Sequence, residues 1–250
     1  GPAATVDTVT NGKKPRENPD YQPQAAGASS YLYVGIGLLV MAALAIGGFF
    51  WMNNKTYPPV DDKVLTENAS FIVGDRTAPV TIDIFEDFNC EHCAAFEKGS
   101  SAAIRQSVID GEIRARYHVL NFLDSSSDSG DFSSRAAGAA LCVARNDDRE
   151  VFWKLQSAIF AKSGDDLDNR QLADLAATAG AGPASVECIA SGQLVDEART
   201  MAEASQGQLS NSNEGRVSTP TVLLAGKPVD GIMDGSVWLE QIVAGERPTS

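Results

Sequence analysis

The sequence predicts an α/β protein in which a parallel-type sheet carries an inserted helical subdomain, preceded by one membrane-spanning helix. Two observations predict the sheet and the insertion. Three stretches have the alternation or branched residues of strands, and a long alanine-rich segment without a strand pattern separates the second from the third. An apolar run near the start of the chain predicts the membrane helix.

The first predicted strand, residues 79–88, alternates apolar side chains with other residues. It leads directly into a Cys-x-x-Cys motif formed by Cys90 and Cys93. The residues after this motif have a helical composition, and we expect their helix to be interrupted or bent at Gly99 and to stop at Gly111.

Two further strands are predicted at residues 113–122 and 219–226. The order strand, cysteine pair, helix, strand makes a βαβ unit with the cysteines at a helix N-terminus. The helical insertion is predicted over about 131–212, and the chain is predicted to close with a hairpin partner at 227–232 and a helix at 236–244. The helices of the insertion are predicted at about 133–146, 148–162, 167–179, 184–191 and 194–211.

The apolar run from Tyr31 to Trp51 contains no charged residue and has aromatic residues at both ends. At about 1.5 Å per residue it spans the roughly 30 Å hydrocarbon core of a bilayer. A cleaved signal peptide would have a shorter apolar region with small residues after it, whereas Phe50, Trp51 and Met52 follow here. We therefore expect an uncleaved transmembrane helix over residues 31–52, embedded in the lipid bilayer.

Polar segments flank this helix on both sides. Residues 1–30 are expected to form a disordered cytoplasmic tail, and residues 53–66 a polar linker. The soluble domain is expected to occupy residues 67–250. Positive charge is only slightly greater before the helix than after it, so the charges alone favour a cytoplasmic N-terminus only mildly.

Composition limits the possible partners and bridges. The formal net charge is −13, from 20 Lys and Arg against 33 Asp and Glu. Because phosphate binding needs a cationic surface, this charge argues against nucleic acid as a partner. Four cysteines are too few for a disulfide scaffold, but their number suits two specific bridges.

The cysteine pair is suited to thiol–disulfide exchange. The attacking species is a thiolate, and a helix N-terminus lowers the pKa of a thiol through its partial positive charge and its free N–H groups. Cys90 is predicted at the start of the helix, with Cys93 one turn later on the same face and more buried. We therefore assign Cys90 as the attacking and leaving sulfur and Cys93 as the resolving sulfur.

A zinc site is the alternative interpretation of the motif. Structural zinc needs four ligands, and the only histidines in the sequence are His92 and His118. His118 lies within a predicted strand, and the sequence has no second Cys-x-x-Cys motif. We therefore expect no metal site, and no cofactor is predicted.

Three features in order resemble the DsbA-type thiol:disulfide oxidoreductases, including their membrane-tethered bacterial relatives. They are Cys-x-His-Cys after "FEDFN", the inserted helices, and Thr-Pro before the third strand in "VSTPTVLLAGKPV". The resemblance covers residues 67–245 and implies a thioredoxin fold. It implies that His92 stabilises the Cys90 thiolate, and that Thr219 and Pro220 form the substrate-binding loop with Pro220 in the cis form beside Cys90.

Two positions depart from the family pattern. Glu91 lies where the family's oxidases usually have proline, and its carboxylate is expected to raise the pKa of Cys90 and make the enzyme a weaker oxidant. Ile84 lies where many thioredoxin-fold enzymes have a buried acid for proton transfer. Glu86 points to the same side of the strand and is a candidate replacement, although a solvated or locally hydrogen-bonded acid is the more ordinary interpretation.

Cys142 and Cys188 both lie in apolar segments of the insertion. Free buried cysteines would be expected in a reducing cytosol. In an oxidising compartment we instead expect a structural disulfide, which membrane-anchored relatives also display, closing a loop of about 47 residues.

The resemblance thus implies a protein disulfide oxidase that acts on unfolded exported proteins with free cysteines through Cys90 and Cys93. It implies a membrane quinone-linked oxidase of the DsbB or vitamin K epoxide reductase type as reoxidant. Because disulfides persist outside the cytosol, we expect the domain on the extracytoplasmic side of the cell membrane. Thr219 is also typical of isomerase and reductase branches, so an envelope isomerase or reductase stays an alternative, as does a redox-weak assembly or binding subunit.

Overall fold

The computed structural model describes residues 28–53 and 56–246. These two ranges belong to two separate compact units, divided between Lys55 and Thr56. Residues 1–27 of the predicted tail and residues 54–55 of the predicted linker lie outside the described residues.

The first unit contributes one described helix, α1 (Ala28–Asn53). Within it, Tyr31–Met52 comprises 22 residues with a mean hydropathy of 2.2 and is long and apolar enough to cross a membrane. The helix therefore contains the whole of the predicted span at residues 31–52.

The second unit is built on a five-stranded sheet with the order β1-β3-β2-β4-β5. β2 and β3 are parallel, and the other neighbouring pairs are antiparallel. The sheet is therefore mixed, with the parallel βαβ unit at its centre. Its strands are β1 (Phe71–Val73), β2 (Val80–Glu86), β3 (Ile113–Val119), β4 (Thr221–Leu224) and β5 (Lys227–Pro228).

The crossover between the parallel strands is α3 (Glu91–Ile109). It runs without a break through Gly99, where the sequence predicted an interruption or bend, and ends just before Gly111, which has a φ of 73°. A single glycine in a helix costs about 1 kcal/mol. Burial of Phe96 and Ile104 on the inner face of α3 offsets that cost.

Side chains on the two faces of β2 enter two different cores. Because successive side chains alternate across a strand, Ile82 and Ile84 belong to the main core together with α3. Phe85 faces the other way and packs with Leu65 and Leu209 in a smaller core. The central strand β2 is therefore buried on both faces, and this packing positions its C-terminal end, after which the cysteine pair follows.

A buried ionic cluster joins β2 and β3 to helices on the second face. Asp83 accepts two hydrogen bonds from Arg116, each of 2.7 Å, and lies 2.8 Å from His118 Nε2. Arg116 also donates to Thr66 Oγ1 at 2.7 Å, and His118 Nδ1 lies 2.9 Å from Ser205 Oγ. Burial would raise the pKa of Asp83, but the bonds from His118 and Arg116 outweigh it and lower the pKa.

The folded unit begins earlier than the predicted boundary at residue 67. A short helix, α2 (Asp62–Asn68), occupies the last part of the predicted linker. Asp61 caps it by accepting a hydrogen bond from Lys63 N at 2.9 Å, and Leu65 is buried in the smaller core. The sequence did not predict this helix because the segment is polar and too short to show a helical period.

The insertion predicted over 131–212 consists of five helices between Phe132 and Ser212 within the described residues. Their bounds lie close to the predicted ones. β1 was not predicted, since three residues are too few to show alternation. The helices are α4 (Phe132–Asn146), α5 (Arg149–Phe160), α6 (Asn169–Ala179), α7 (Pro183–Ala190) and α8 (Val195–Ser212), and the unit closes with α9 (Val237–Val243).

A disulfide joins Cys142 of α4 to Cys188 of α7, with a Cα–Cα distance of 5.9 Å. Both residues are buried in the main core. The bridge spans a sequence separation of 46 residues and ties the first helix of the insertion to its fourth.

Removing this bridge is expected to destabilise the second unit substantially. For a closed loop of this length, the chain-entropy treatment gives a loss of about 4 kcal/mol in the free energy of unfolding for Cys142→Ala/Cys188→Ala. Urea unfolding of the double variant and of wild type measures it, with the Cys90–Cys93 pair held reduced under conditions that leave the second bridge intact. A loss below about 1 kcal/mol would contradict a structural role for the bridge.

Candidate active site

The cysteine pair lies where β2 ends and α3 begins. Cys90 is the N-cap residue of α3, with extended backbone angles of φ −94° and ψ 115°. Its N–H donates to the Asp87 carbonyl at 3.0 Å, which closes the turn after β2. Cys93 follows in the first turn of α3, so both sulfurs lie at the positive end of the helix dipole.

The two thiols are free and have opposite pKa perturbations. The pKa of Cys90 is lowered to about 5, chiefly by the Cys93 side chain and further by Thr219 and the backbone N–H groups of Cys93 and His92, while burial acts in the opposite direction. The pKa of Cys93 is raised far above its ordinary value, chiefly by burial. Cys90 is 8% exposed and Cys93 is 0% exposed. One sulfur is thus stable as a thiolate and the other as a thiol.

The loop before β4 lies beside Cys90. Since β4 is antiparallel to β2, its first residue, Thr221, pairs with Phe85 near the end of β2. The preceding Thr219–Pro220 peptide bond is cis, and Cys90 Sγ lies 3.5 Å from the Thr219 carbonyl oxygen. The structure therefore brings together Cys90, Cys93 and the Thr219–Pro220 loop, as the resemblance implied.

Glu91 and His92 lie in the first turn of α3 with exposed side chains. The backbone N–H of His92, at the N-terminus of α3, contributes to the lowered pKa of Cys90. Stabilisation of the thiolate by the His92 imidazole stays a prediction, and so does the tuning role of Glu91.

Glu86 is buried beneath the cysteine pair rather than solvated. Its side chain is 3% exposed, and its Oε2 accepts a hydrogen bond of 2.7 Å from Gln156 Nε2 of α5. Burial, followed by the neighbouring Glu97, raises its pKa well above the ordinary value. The charge of Glu86 in turn adds to the raised pKa of Cys93. The sequence favoured a solvated or locally hydrogen-bonded Glu86, because the contact that buries it comes from α5, which is distant in sequence.

Glu97 provides a second buried carboxyl group on α3. It forms a salt bridge with Arg105 and accepts a hydrogen bond of 2.7 Å from Ser157 of α5. Burial raises its pKa, and Arg105 opposes that effect. A 480 Å³ cavity between α3 and α5 is lined by Glu97 and Ser157, so this carboxyl group borders a path to solvent.

A third acid at the site, Asp87, was not singled out from the sequence. It is fully buried, and its burial raises its pKa to about 6. Its position three residues before Cys90 in "FEDFNC" could have indicated a role at the site. Local composition, however, does not distinguish a buried acid in a turn from a solvated one.

His118 belongs to the core cluster with Asp83 and Ser205, not to the cysteine site. Burial lowers the pKa of its imidazole, although the bond to Asp83 acts in the opposite direction. Residues 28–53 and 56–246 contain no group of three His, Cys, Asp or Glu residues arranged to hold a metal ion.

Comparison with known proteins gives consistent matches to one fold. The family model described as thioredoxin matches residues 66–243. The thiol-disulfide oxidoreductase MdbA from Corynebacterium diphtheriae has 27% sequence identity and a TM-score of 0.63, with 75% of this chain and 94% of that chain covered. Reduced DsbA from Mycobacterium tuberculosis has 28% identity and a TM-score of 0.55, covering 71% of this chain and 93% of its own.

Curated relatives include a larger protein. The serine/threonine-protein kinase PknE from Mycobacterium tuberculosis (strain H37Rv) is 35% identical over 183 residues, which cover 70% of this chain and 32% of the kinase. The chain therefore spans about a third of the length of the curated relatives that it matches.

The lowered pKa of Cys90 predicts a pH-dependent difference in stability between the two redox forms. Because the reduced folded state holds a thiolate with a pKa of about 5, against 9.0 for an ordinary thiol, folding releases a proton between these values. The reduced form should therefore gain stability over the disulfide form as pH rises from 5 to 8, by up to about 1.4 kcal/mol per pH unit.

Denaturant midpoints of both redox forms, measured from pH 4 to pH 8, provide the test. The carboxyl groups titrate in both forms, so taking the difference removes most of their contribution. A difference that stays constant across this range would contradict the lowered pKa of Cys90.

Proposed function

The chain belongs to the thioredoxin family, and we propose that it is a thiol:disulfide oxidoreductase that introduces disulfides into exported proteins through Cys90 and Cys93. The observation that carries the proposal is the opposite pKa perturbation of the two thiols. A sulfur stable as a thiolate is a good leaving group. Stabilising that thiolate favours the dithiol over the disulfide, which makes the disulfide form oxidising.

In the first step, a substrate thiolate attacks Cys90 Sγ of the Cys90–Cys93 disulfide. A bond forms between the substrate sulfur and Cys90 while the disulfide bond breaks, and its electron pair goes to Cys93, which takes up a proton. Cys90 is the attacked sulfur because it is the more exposed of the two.

In the second step, another substrate thiolate attacks the substrate sulfur of the mixed disulfide. The substrate disulfide forms, the bond to Cys90 breaks, and Cys90 leaves as the thiolate that α3 stabilises. Two electrons have then passed from the substrate dithiol to the enzyme. The thiolate is the favoured leaving form at neutral pH, since the Cys90 pKa is about 5.

Glu86 is the proposed proton donor to Cys93. Burial raises the pKa of Glu86 well above its ordinary value and so favours the protonated form that can donate, and the charge left on Glu86 after donation favours the protonated form of Cys93. Neighbouring Glu97 borders the cavity between α3 and α5, so a proton lost from Glu86 has a nearby route for replacement from solvent.

The Thr219–Pro220 loop is the proposed substrate-binding segment. Its cis peptide lies beside Cys90, and we expect its backbone, just before β4 begins, to pair with an extended substrate peptide. His92 is the proposed additional stabiliser of the Cys90 thiolate, from its exposed position in the first turn of α3.

The proposed location follows from α1 and the redox chemistry. Helix α1 is long and apolar enough to serve as a membrane anchor over residues 31–52, with the N-terminus in the cytoplasm and the redox domain outside it. We assign reoxidation to a membrane quinone-linked oxidase of the DsbB or vitamin K epoxide reductase type, which an anchored domain would meet in the same bilayer. That oxidase would remove two electrons from the dithiol and regenerate the disulfide.

A second candidate function is a thioredoxin-fold interaction or sensing domain without turnover. The similarity to PknE favours it, because the matched region is a third of a protein named as a serine/threonine-protein kinase. An envelope isomerase or reductase would use the same cysteine pair with a different direction of electron flow.

Trapping of mixed disulfides separates an enzyme from an interaction domain. In Cys93→Ala, the Cys90 thiolate can attack a disulfide of an exported protein, which breaks that disulfide and releases one of its sulfurs as a thiolate. The mixed disulfide so formed lacks the enzyme thiol that would resolve it, so a disulfide-exchange enzyme should accumulate covalent adducts with many exported proteins. Non-reducing gels of the full chain expressed in a bacterial host, followed by mass spectrometry, measure them. The Cys90→Ala/Cys93→Ala variant is the control, and absence of adducts specific to Cys93→Ala would contradict the proposal.

Glu91 is expected to weaken the oxidising power of the couple. With unit charges about 6 Å apart at effective dielectrics of 40–80, its carboxylate disfavours the Cys90 thiolate by about 0.7–1.4 kcal/mol. Glu91→Pro should therefore make the couple more oxidising in a glutathione redox titration. Glu91→Gln, which removes the charge but keeps the shape, is the matched control and should shift the potential in the same direction. A Glu91→Pro couple no more oxidising than wild type would contradict a role for Glu91.

A further inference from the structure

Asp87 has a fully buried carboxyl group three residues before Cys90, and the chemistry proposed above does not use it. Among the described residues its hydrogen-bond donors are all neutral, and it forms no salt bridge. Burying a carboxylate without a cationic partner is costly, and the burial raises its pKa to about 6. The hydrogen bonds that Asp87 accepts must therefore offset the cost of burying it.

The three donors to Asp87 come from three different segments. Oδ1 accepts from the backbone N–H of Asn89 at 2.9 Å and from Ser133 Oγ at 2.5 Å, and Oδ2 accepts from the backbone N–H of Leu123 at 3.1 Å. Asn89 precedes Cys90, Leu123 follows β3, and Ser133 lies in the first turn of α4. One carboxyl group therefore joins the cysteine loop, the connection after β3 and the helical insertion.

These contacts reach Cys90 through the backbone. The Asp87 carbonyl accepts the Cys90 N–H at 3.0 Å, and Asn89 Nδ2 donates to the Leu123 carbonyl at 3.3 Å. These two hydrogen bonds hold residues 87–90 in the conformation that makes Cys90 the N-cap of α3. That conformation places the Cys90 sulfur at the N-terminus of α3, where the partial positive charge of the helix and the backbone N–H groups of His92 and Cys93 lower the pKa of the thiol.

We propose that Asp87 is a positioning residue for thiol–disulfide exchange: through Ser133 it fastens the helical insertion to the loop that presents Cys90. The carboxyl group thereby keeps the Cys90 sulfur at the N-terminus of α3. A role for Asp87 in catalysis rests on the proposed function. Its test, however, measures the pKa of Cys90 and not turnover.

Charge and position have opposite effects on the pKa of Cys90, so the sign of a change is informative. Removing the Ser133 hydroxyl takes a donor from the Asp87 carboxylate and favours its protonated form. Acting through charge alone, this would lower the pKa of Cys90, because less negative charge would remain beside the thiolate. Loosening the loop instead withdraws the donors of α3 and raises the pKa of Cys90.

The experiment follows the ultraviolet absorbance of the thiolate in the reduced full chain between pH 3 and pH 9. In this range Cys93 stays protonated, so the transition belongs to Cys90. Ser133→Ala is expected to raise the pKa of Cys90 by about half a unit or more, a threefold or greater weakening of proton dissociation. The matched control is Ser134→Ala, since Ser134 is equally buried but its hydroxyl donates to Asp124 at 2.5 Å. It should leave the pKa of Cys90 unchanged.

A double-variant comparison shows whether Ser133 acts through Asp87. In the Asp87→Asn background, Ser133→Ala should add no further shift. The proposal is overturned if Ser133→Ala leaves the pKa of Cys90 unchanged or lowers it, or if Ser134→Ala raises that pKa equally. It is also overturned if Ser133→Ala produces its full shift in the Asp87→Asn background. If Asp87→Asn does not fold, the comparison of Ser133→Ala with Ser134→Ala decides alone. A failure of the Cys93→Ala trapping with these shifts intact would count against the disulfide-exchange function and not against the positioning by Asp87.

Discussion

The N-cap position of Cys90 on α3 is the constraint on which the site depends. The pKa of the Cys90 thiol is lowered there, chiefly by Cys93 and further by Thr219 and backbone N–H groups, while burial one turn later raises the pKa of Cys93. The parallel β2 and β3 require a crossover, and α3 is that crossover, so the sheet topology itself places a helix N-terminus at the end of β2. The antiparallel β4 then brings the Thr219–Pro220 loop to the same end of the sheet.

The insertion is part of the active site rather than an appendage. Three carboxyl groups, Glu86, Asp87 and Glu97, are buried close to the cysteine pair, and each accepts a hydrogen bond from the insertion. The donors are Gln156, Ser133 and Ser157, respectively. Buried acids without such donors would be strongly destabilising. The insertion therefore allows carboxyl groups with raised pKa values to be buried close to the cysteine pair, and Glu86 among them is the proposed proton donor to Cys93.

The sequence predicts the parts of this site that depend on local pattern. Alternation predicted β2, the Cys-x-x-Cys motif marked the start of α3, and the resemblance drew attention to Pro220. The burial of Glu86 and the contacts of Asp87 were beyond local pattern, because they are produced by α5 and α4, far along the chain. The same reason applies to α2, whose single buried Leu65 and contact with Arg116 become visible only when the strands are assembled. Local sequence thus predicts where the two thiols lie, whereas tertiary packing determines which carboxyl groups are buried beside them.

The direction of electron flow depends on how far the Cys90 thiolate is stabilised over the disulfide. A lowered Cys90 pKa favours an oxidant, and the Glu91 carboxylate is expected to weaken that oxidising power. The most direct measurement is the reduction potential of the Cys90–Cys93 couple in equilibrium with glutathione at pH 7. A potential between about −120 and −180 mV, the range from DsbA to protein disulfide isomerase, is expected for the proposed oxidase. A potential near about −270 mV, that of thioredoxin, would contradict it.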